Sequence, residues 1–440
     1  SARASLALLA GRGPPARPRG SPPGRGRASG MANAGEPEAL PQWMRAPSGS
    51  VRTKRWNKIR QEPPKEEKAE KAKEEKAEEA QAPGAAGGKP AAARPGQREA
   101  PAGARDRQPA GSGQWSRVGA DVRARLAECE LTEKDRAYVD GCLQELRAAV
   151  RQLGEEWQLE LFGSVASGFG TRESDVDATC FQPEAPAEDT PEPADAARVL
   201  EERLRPLLEA QGRFSVTQRV LHAKVPILKL RFGGRLDVDL SCRNVEALQN
   251  TRLLRAYAHF DERVRDLGIA VKLWAKAAGV CGAPEGHLAS YTFTLLAIYF
   301  MQVHPDVELP CLPTSAFKDG REESEAQARV EAARSWWSCR LSLAELVARF
   351  FRFYSCDFRW GREVVCPRLG HRLQASEDLF QGLRGRQASR LHVEDPYRLE
   401  RNLHCVLGCP EEAQLREALD EALRCLHAGR APVGLRPERG

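Results

Sequence analysis

The sequence predicts an α/β (α+β) chain of two lobes, a small mixed-sheet lobe followed by a mostly helical one, behind a disordered low-complexity N-terminal tail. Three observations carry this. β-type runs cluster between Trp157 and Cys242, helical apolar periodicity takes over after Asn244, and residues 1–114 are poor in the large apolar side chains that a core needs. The resulting division is a tail at 1–114, leading helices at 115–153, a sheet-bearing domain at 154–242, a helical domain at 243–430 and a short tail at 431–440.

The tail is rich in Ala, Gly, Pro, Arg, Glu and Lys. Such a composition buries too little surface to offset the entropy of ordering. Residues 1–35 hold six arginines and no acid, the composition of an organelle transit peptide. Their Pro and Gly content, with Met31 as an alternative start, makes untranslated sequence or plain disorder the expectation. Ser50 to Gln61 sets five basic residues around Trp56, a solvated or nuclear-import-like patch that could also grip single-stranded nucleic acid. Glu62 to Ala80 mixes Glu, Lys and Ala as an exposed helix without an apolar face, hence a spacer.

Across all 440 residues the formal charge is +6, dispersed among many acids, which is compatible with an anionic partner without demanding one. Twelve cysteines are scattered without C-x-x-C repetition. They read as reduced, mostly buried thiols of an intracellular protein rather than as a zinc module or disulfide framework. No run of 18 apolar residues exists, so no membrane span is expected.

Order begins near Trp115. Val122, Leu126, Leu131, Tyr138, Leu143, Leu146, Val150 and Leu153 recur at helical spacing, with a helix start at Thr132 to Asp135. A strand from Trp157 to Phe162 ends at Gly163-Ser164. Glycine lets backbone approach a phosphate, and the serine hydroxyl adds a donor. Asp175 and Asp177 flank Val176 on an extended segment, so both carboxylates face one way, placed to hold hard divalent cations. The Pro/Glu/Asp insert Gln182 to Ala194 is a surface loop, and Asp195 to Gln211 an amphipathic helix.

Three further strands follow, at Phe214 to Val220, Lys224 to Phe232 and Arg235 to Cys242. The last carries Asp237 and Asp239 between apolar neighbours. A carboxylate in such a strand is costly unless paired or metal-bound, so this strand can supply a third acid, with the other aspartate a supporting partner or an edge charge. In the helix from Val264 to Val280, Lys272 and Lys276 lie four residues apart on one face, able to neutralise a triphosphate. Ser290 opens the next helix, where a first turn can bind phosphate, and Tyr291 offers its ring to a base. Ser342 leads a strongly amphipathic helix to Phe353, and Leu415, Leu419, Leu423 and Leu426 line one side of the last helix.

LFGS, DVDATCF, LDVDLSC, LQNTRLL, VKLWAK, SYTFTLL and VEDPYRLERNL occur in this order between Leu161 and Leu403. Together they resemble the poly(A) polymerase-like terminal nucleotidyltransferases, which include RNA terminal uridylyltransferases and cytoplasmic-type poly(A) polymerases of the DNA polymerase β superfamily. The resemblance implies a nucleotidyltransferase whose small sheet lobe is catalytic and whose helical lobe recognises the nucleotide. It implies Asp175, Asp177 and Asp239 as ligands of two Mg²⁺ (or Mn²⁺) ions and an RNA 3′ end as acceptor. Phe162, Gly163, Ser164, Lys272, Lys276 and Ser290 then surround the phosphates, Asn250 and Thr251 meet the ribose 2′-hydroxyl, and Tyr291 stacks on the base.

Base choice falls to Asp395 and Arg401, and Arg401 stands where uridylyl-adding relatives commonly have histidine. Arginine offers only donors. These suit uracil O4 while Asp395 accepts from N3–H, so the expectation leans to UMP from UTP. Adenylate from ATP is the alternative, and an inactive RNA-binding scaffold the second. The expected compartment is cytoplasmic, with nuclear or organellar targeting by the basic N-terminal segment as the other possibility.

Overall fold

The computed structural model describes residues 112–183, 193–318, 323–375 and 390–438. The expectations for the tail before residue 112 and for most of the 182–194 insert lie outside them.

The sheet lobe opens with helix α2 (Glu133–Arg151). Thr132 caps it as the sequence predicts: its hydroxyl accepts from the Asp135 N–H, and the Asp135 carboxylate answers the Thr132 N–H. Five strands follow, β1 (Gln158–Phe162), β2 (Val176–Phe181), β3 (Phe214–Val220), β4 (Ile227–Phe232) and β5 (Leu236–Cys242). A short helix α3 (Gly163–Ser167) separates β1 from β2. Between β2 and β3 runs a helical stretch of α4 (Pro193–Arg198), a π-helical turn (Val199–Leu204) and α5 (Arg205–Ala210). The sheet is ordered β1-β2-β5-β4-β3, with β2 and β5 parallel and the other neighbours antiparallel. One face is dry: Leu143, Leu146 and Val150 of α2, with Leu200, Leu204 and Leu208, cover Val176, Ala178, Leu228, Leu230, Val238 and Leu240. Strand alternation then turns Asp177, Lys229, Asp237 and Asp239 to the other face.

The helical lobe is built from α1 (Ser112–Cys129), α6 (Val245–Phe260), α7 (Glu262–Ala277), α8 (Ser290–Val303), α9 (Glu323–Trp336), α10 (Leu343–Arg352) and α11 (Cys409–His427). Its core is aromatic, centred on Trp274, Phe293, Tyr299, Phe300, Phe350, Phe351 and Tyr354. A two-stranded parallel ladder, β6 (Val364–Val365) and β7 (His392–Val393), delivers the segment that carries Asp395 and Arg401.

Two expected boundaries shift. The leading helices do not act together, because α1 sends Val118 and Val122 into the helical core while α2 backs the sheet. The supposed tail beyond 430 is docked, since Ala431 and Leu435 are fully buried there and Gly434 lies against the Leu273 carbonyl. The period of a helix does not say which core its apolar face joins, and the segment beyond 430 has too few apolar residues to show one, so only a partner surface gives them a place.

Candidate active site

The parallel pairing of β2 with β5 is what assembles the acids. Its register sets Asp177 directly beside Asp239, and Asp175, two residues upstream, shares their face at the mouth of the strand. Crowded carboxylates disfavour one another's charge, and burial adds to this. Asp177 is pushed up to about 7 by burial, Asp239 and Asp175. Asp175 is raised by burial, Asp239 and Asp237. Three hard oxygen donors in this condition suit divalent cations, so the residues present fit the Mg²⁺ or Mn²⁺ that the motifs imply. Among the described residues, however, no three acidic, His or Cys side chains are already drawn into a closed ligand set. One of the three acids meets a lysine on the neighbouring strand.

That lysine was not anticipated. Lys229 on β4 is the register partner of Asp239, and its Nζ donates to both carboxylate oxygens, at 3.1 Å to Oδ1 and 2.8 Å to Oδ2. Burial pulls its pKa down, but Asp239, with Asp175 and Asp177, more than offsets this and leaves it raised. The signal was present, since a lysine in an apolar strand needs a partner as much as Asp239 does. Asp237 is the edge charge of the group, held by Arg231 at 2.8 and 3.1 Å.

The glycine-serine bend sits over Asp177. Gly163 has φ +75°, and a Cβ there would stand 2.0 Å from Asp177 Oδ2. Phe162, across the β1–β2 ladder from Asp177, caps α3 from an extended conformation, and Ser164 is half-buried in that first turn. Thr251 on α6 fixes the bend. Its hydroxyl accepts from the Gly163 N–H at 3.0 Å and donates to the Ala247 carbonyl at 2.7 Å. The buried hydroxyl thus makes one accepted and one donated bond within the protein, and one lone pair remains.

The loop after α3 locks the lobes together. Phe169 is buried in the helical core against α7, where a Cβ on Gly268 would come 2.5 Å from its ring. Its carbonyl accepts from Lys272 Nζ at 2.7 Å. Lys272 therefore does not project into solvent beside Lys276 as the spacing suggested. It is buried, and its pKa falls to about 8 through burial and the nearby Lys276, although Asp177 acts the other way. Lys276 stays exposed at the end of α7, close enough to Asp175 to lower its pKa.

On the far side, Asn250 of α6 accepts from the Tyr291 hydroxyl at 2.7 Å. Burial and the Asp395 carboxylate push Tyr291 far above its usual range, with Arg401 opposing. Asp395 is fully buried. Its Oδ1 accepts from the N–H groups of Tyr397 and Arg398, at 3.0 and 3.1 Å, while Oδ2 has no hydrogen-bond partner. Arg401 is exposed, its Nη1 3.8 Å from that oxygen. Direct contacts join Arg401 to Asp395, Tyr291 to Asn250, Thr251 to the Gly163 bend and Lys272 to the Phe169 loop, while Asp395 acts on Tyr291, and Asp177 on Lys272, through charge. Ser290, at the first turn of α8, joins them by position alone.

Known proteins resemble this chain in sequence and fold. Residues 119–259 match the family described as the central palm domain of mitochondrial-like poly(A) RNA polymerase, and residues 342–401 the Cid1 family of poly(A) polymerases. Poly(A) RNA polymerase GLD2-B of Xenopus laevis is 30% identical over 257 residues, 57% of this chain and 48% of its own length. Human terminal uridylyltransferase 7 is 32% identical over 275 residues, 59% of this chain and 18% of its own length. This chain spans about half the length of the GLD2 relatives. Among solved structures, the Cid1 RNA terminal uridylyl transferase aligns with a TM-score of 0.59 and 22% identity, over 74% of this chain and 100% of that one. Cid1 is also known with a UTP analogue, with its short product ApU and with Mg 3′-dATP. At that identity the likeness is one of fold. Seven ordered motifs and the two family matches make this chain similar, over residues 119–259 and 342–401, to the poly(A) polymerase-like terminal nucleotidyltransferases.

Proposed function

We propose that this chain transfers a nucleoside monophosphate from an NTP to an RNA 3′ end. The observation that carries it is the Asp177–Asp239 register pair beneath the Gly163 bend, facing the α7 lysines. Asp175, Asp177 and Asp239 would hold Mg²⁺ or Mn²⁺. When bound, the metals neutralise charge on the attacking and leaving oxygens. The backbone of the bend, Ser164, Lys276 and the first turn of α8 take the phosphates, while the buried Lys272 ammonium keeps the loop and supplies positive charge beneath them. Tyr291 lies under the base, and Asn250 orients it. Catalysis in such a site rests on positioning and charge neutralisation.

For the base, the reading moves from uridine to adenine. The GLD2 relatives are poly(A) RNA polymerases, and Arg401 removes the histidine expected of a uridylyl-adding enzyme. Asp395 Oδ2, buried and unpartnered, accepts from the adenine amino group, and Arg401 donates to a ring nitrogen. Uridylyl transfer is the second reading, favoured by the same pair, since uracil offers N3–H to Asp395 and O4 to Arg401.

The test is extension of one short RNA with each NTP in Mg²⁺. We expect ATP to be used best, and addition to be lost in Asp177→Ala and Asp239→Ala proteins whose circular dichroism is unchanged. Addition by either variant at the wild-type rate overturns the proposal, and a preference for UTP reverts the base assignment.

A further inference from the structure

Among the described residues, Lys229 is the one cationic side chain in direct contact with any of Asp175, Asp177 and Asp239. We propose that Lys229 is an internal counter-ion of Asp239, so that a divalent cation enters the acidic face only by displacing it. This rests on the metal reading above and adds a step that controls access to the site.

Three features support it. The contact is bidentate, so Lys229 takes both Asp239 oxygens at once and leaves neither placed for a shared ion. Among the described residues, Asp175 and Asp177 form no such ion pair. Finally, the lysine is free to leave. Its side chain is 38% exposed against 20% for Asp239, and it is a flexible four-carbon stem on the open face of β4. The neighbouring rung is different in kind, because Arg231 and Asp237 are both 47% exposed and form a planar bidentate pair that lacks the other acids. Among the described residues, only the Lys229 rung makes a direct ion pair with one of the three acids.

The experiment is a Mn²⁺ titration of the full chain without nucleotide, following free Mn²⁺ by electron paramagnetic resonance. Losing one competing charge-assisted contact should tighten Mn²⁺ binding by about tenfold in Lys229→Met, and Lys229→Arg should not tighten it. A purely structural lysine predicts the opposite sign, since an unsupported Asp239 binds metal less well. Unchanged or weaker binding in Lys229→Met therefore overturns the inference. So does any tightening by Lys229→Met in an Asp239→Asn background, where the lysine has nothing to release. If neither the wild type nor Lys229→Met binds Mn²⁺, the metal reading falls, and this inference with it. Should Lys229→Met not fold, Lys229→Gln is read in the same way, with the Mg²⁺-induced rise in melting temperature as second measurement. That rise should exceed the wild type's, and an equal or smaller one counts against the inference.

Discussion

A Cβ on Gly163 would stand 2.0 Å from Oδ2 of Asp177, with the backbone already at φ +75°. Alanine there meets the carboxylate and a disfavoured conformation together, the second alone costing roughly 1–2 kcal/mol. Gly163→Ala should lower the melting temperature by several degrees and abolish nucleotide addition, because either the bend or Asp177 has to move. Thermal melting and primer extension check this, and normal extension would show that the bend does not need to lie over the acid.

Thr251→Val removes the acceptor of the Gly163 N–H and the donor to Ala247 while keeping shape. A buried donor left unsatisfied costs about 1–3 kcal/mol. We expect destabilisation in that range by denaturant unfolding and slower addition, with Thr251→Ser restoring both. If Thr251→Val instead loses only discrimination between ribo- and deoxyribonucleotides, the hydroxyl serves the ribose and not the bend.

Phe169→Ala opens a cavity in the helical core and frees the loop whose carbonyl holds Lys272. Such truncations cost about 3–5 kcal/mol. Beyond that loss, the KM for nucleotide should rise, since the loop both seats the lysine and ties the lobes.

The protonation of Asp177 sets a pH signature in the absence of metal. Its carboxyl lies at about 7, raised by burial, Asp239 and Asp175. The unfolded value is about 4. Between the two the folded chain holds a proton that the unfolded chain has lost, so this contribution to stability is full below about pH 4 and is lost as pH rises through about 7. In EDTA, wild type should therefore lose stability relative to Asp177→Asn from about pH 4 to about pH 7. Parallel melting curves across that window would remove the assignment, and saturating Mg²⁺ should flatten the wild-type slope.

Arg401→His restores the histidine expected of uridylyl-adding relatives beside Asp395. The ratio of UTP to ATP incorporation should rise by about tenfold or more, the scale of one specific hydrogen bond. An unchanged ratio would place base selection elsewhere than at Arg401.

The sequence by itself determined the order and kind of the elements, the three aspartates and the glycine-serine bend. Those follow from local periodicity, turn chemistry and the cost of a carboxylate in an apolar strand, all of which a single stretch such as LDVDLSC displays. Tertiary structure decided what each group touches. The parallel β2–β5 register put Asp177 beside Asp239, Lys229 met Asp239 across a strand pairing, and Lys272 was buried by the Phe169 loop. Thr251 was taken up by a bend 88 residues upstream, and α1 parted from α2 to join the other core. These are contacts between segments far apart in the chain. Spacing within one element cannot encode them, because the partner's position is fixed only when the sheet register and the helix packing are formed.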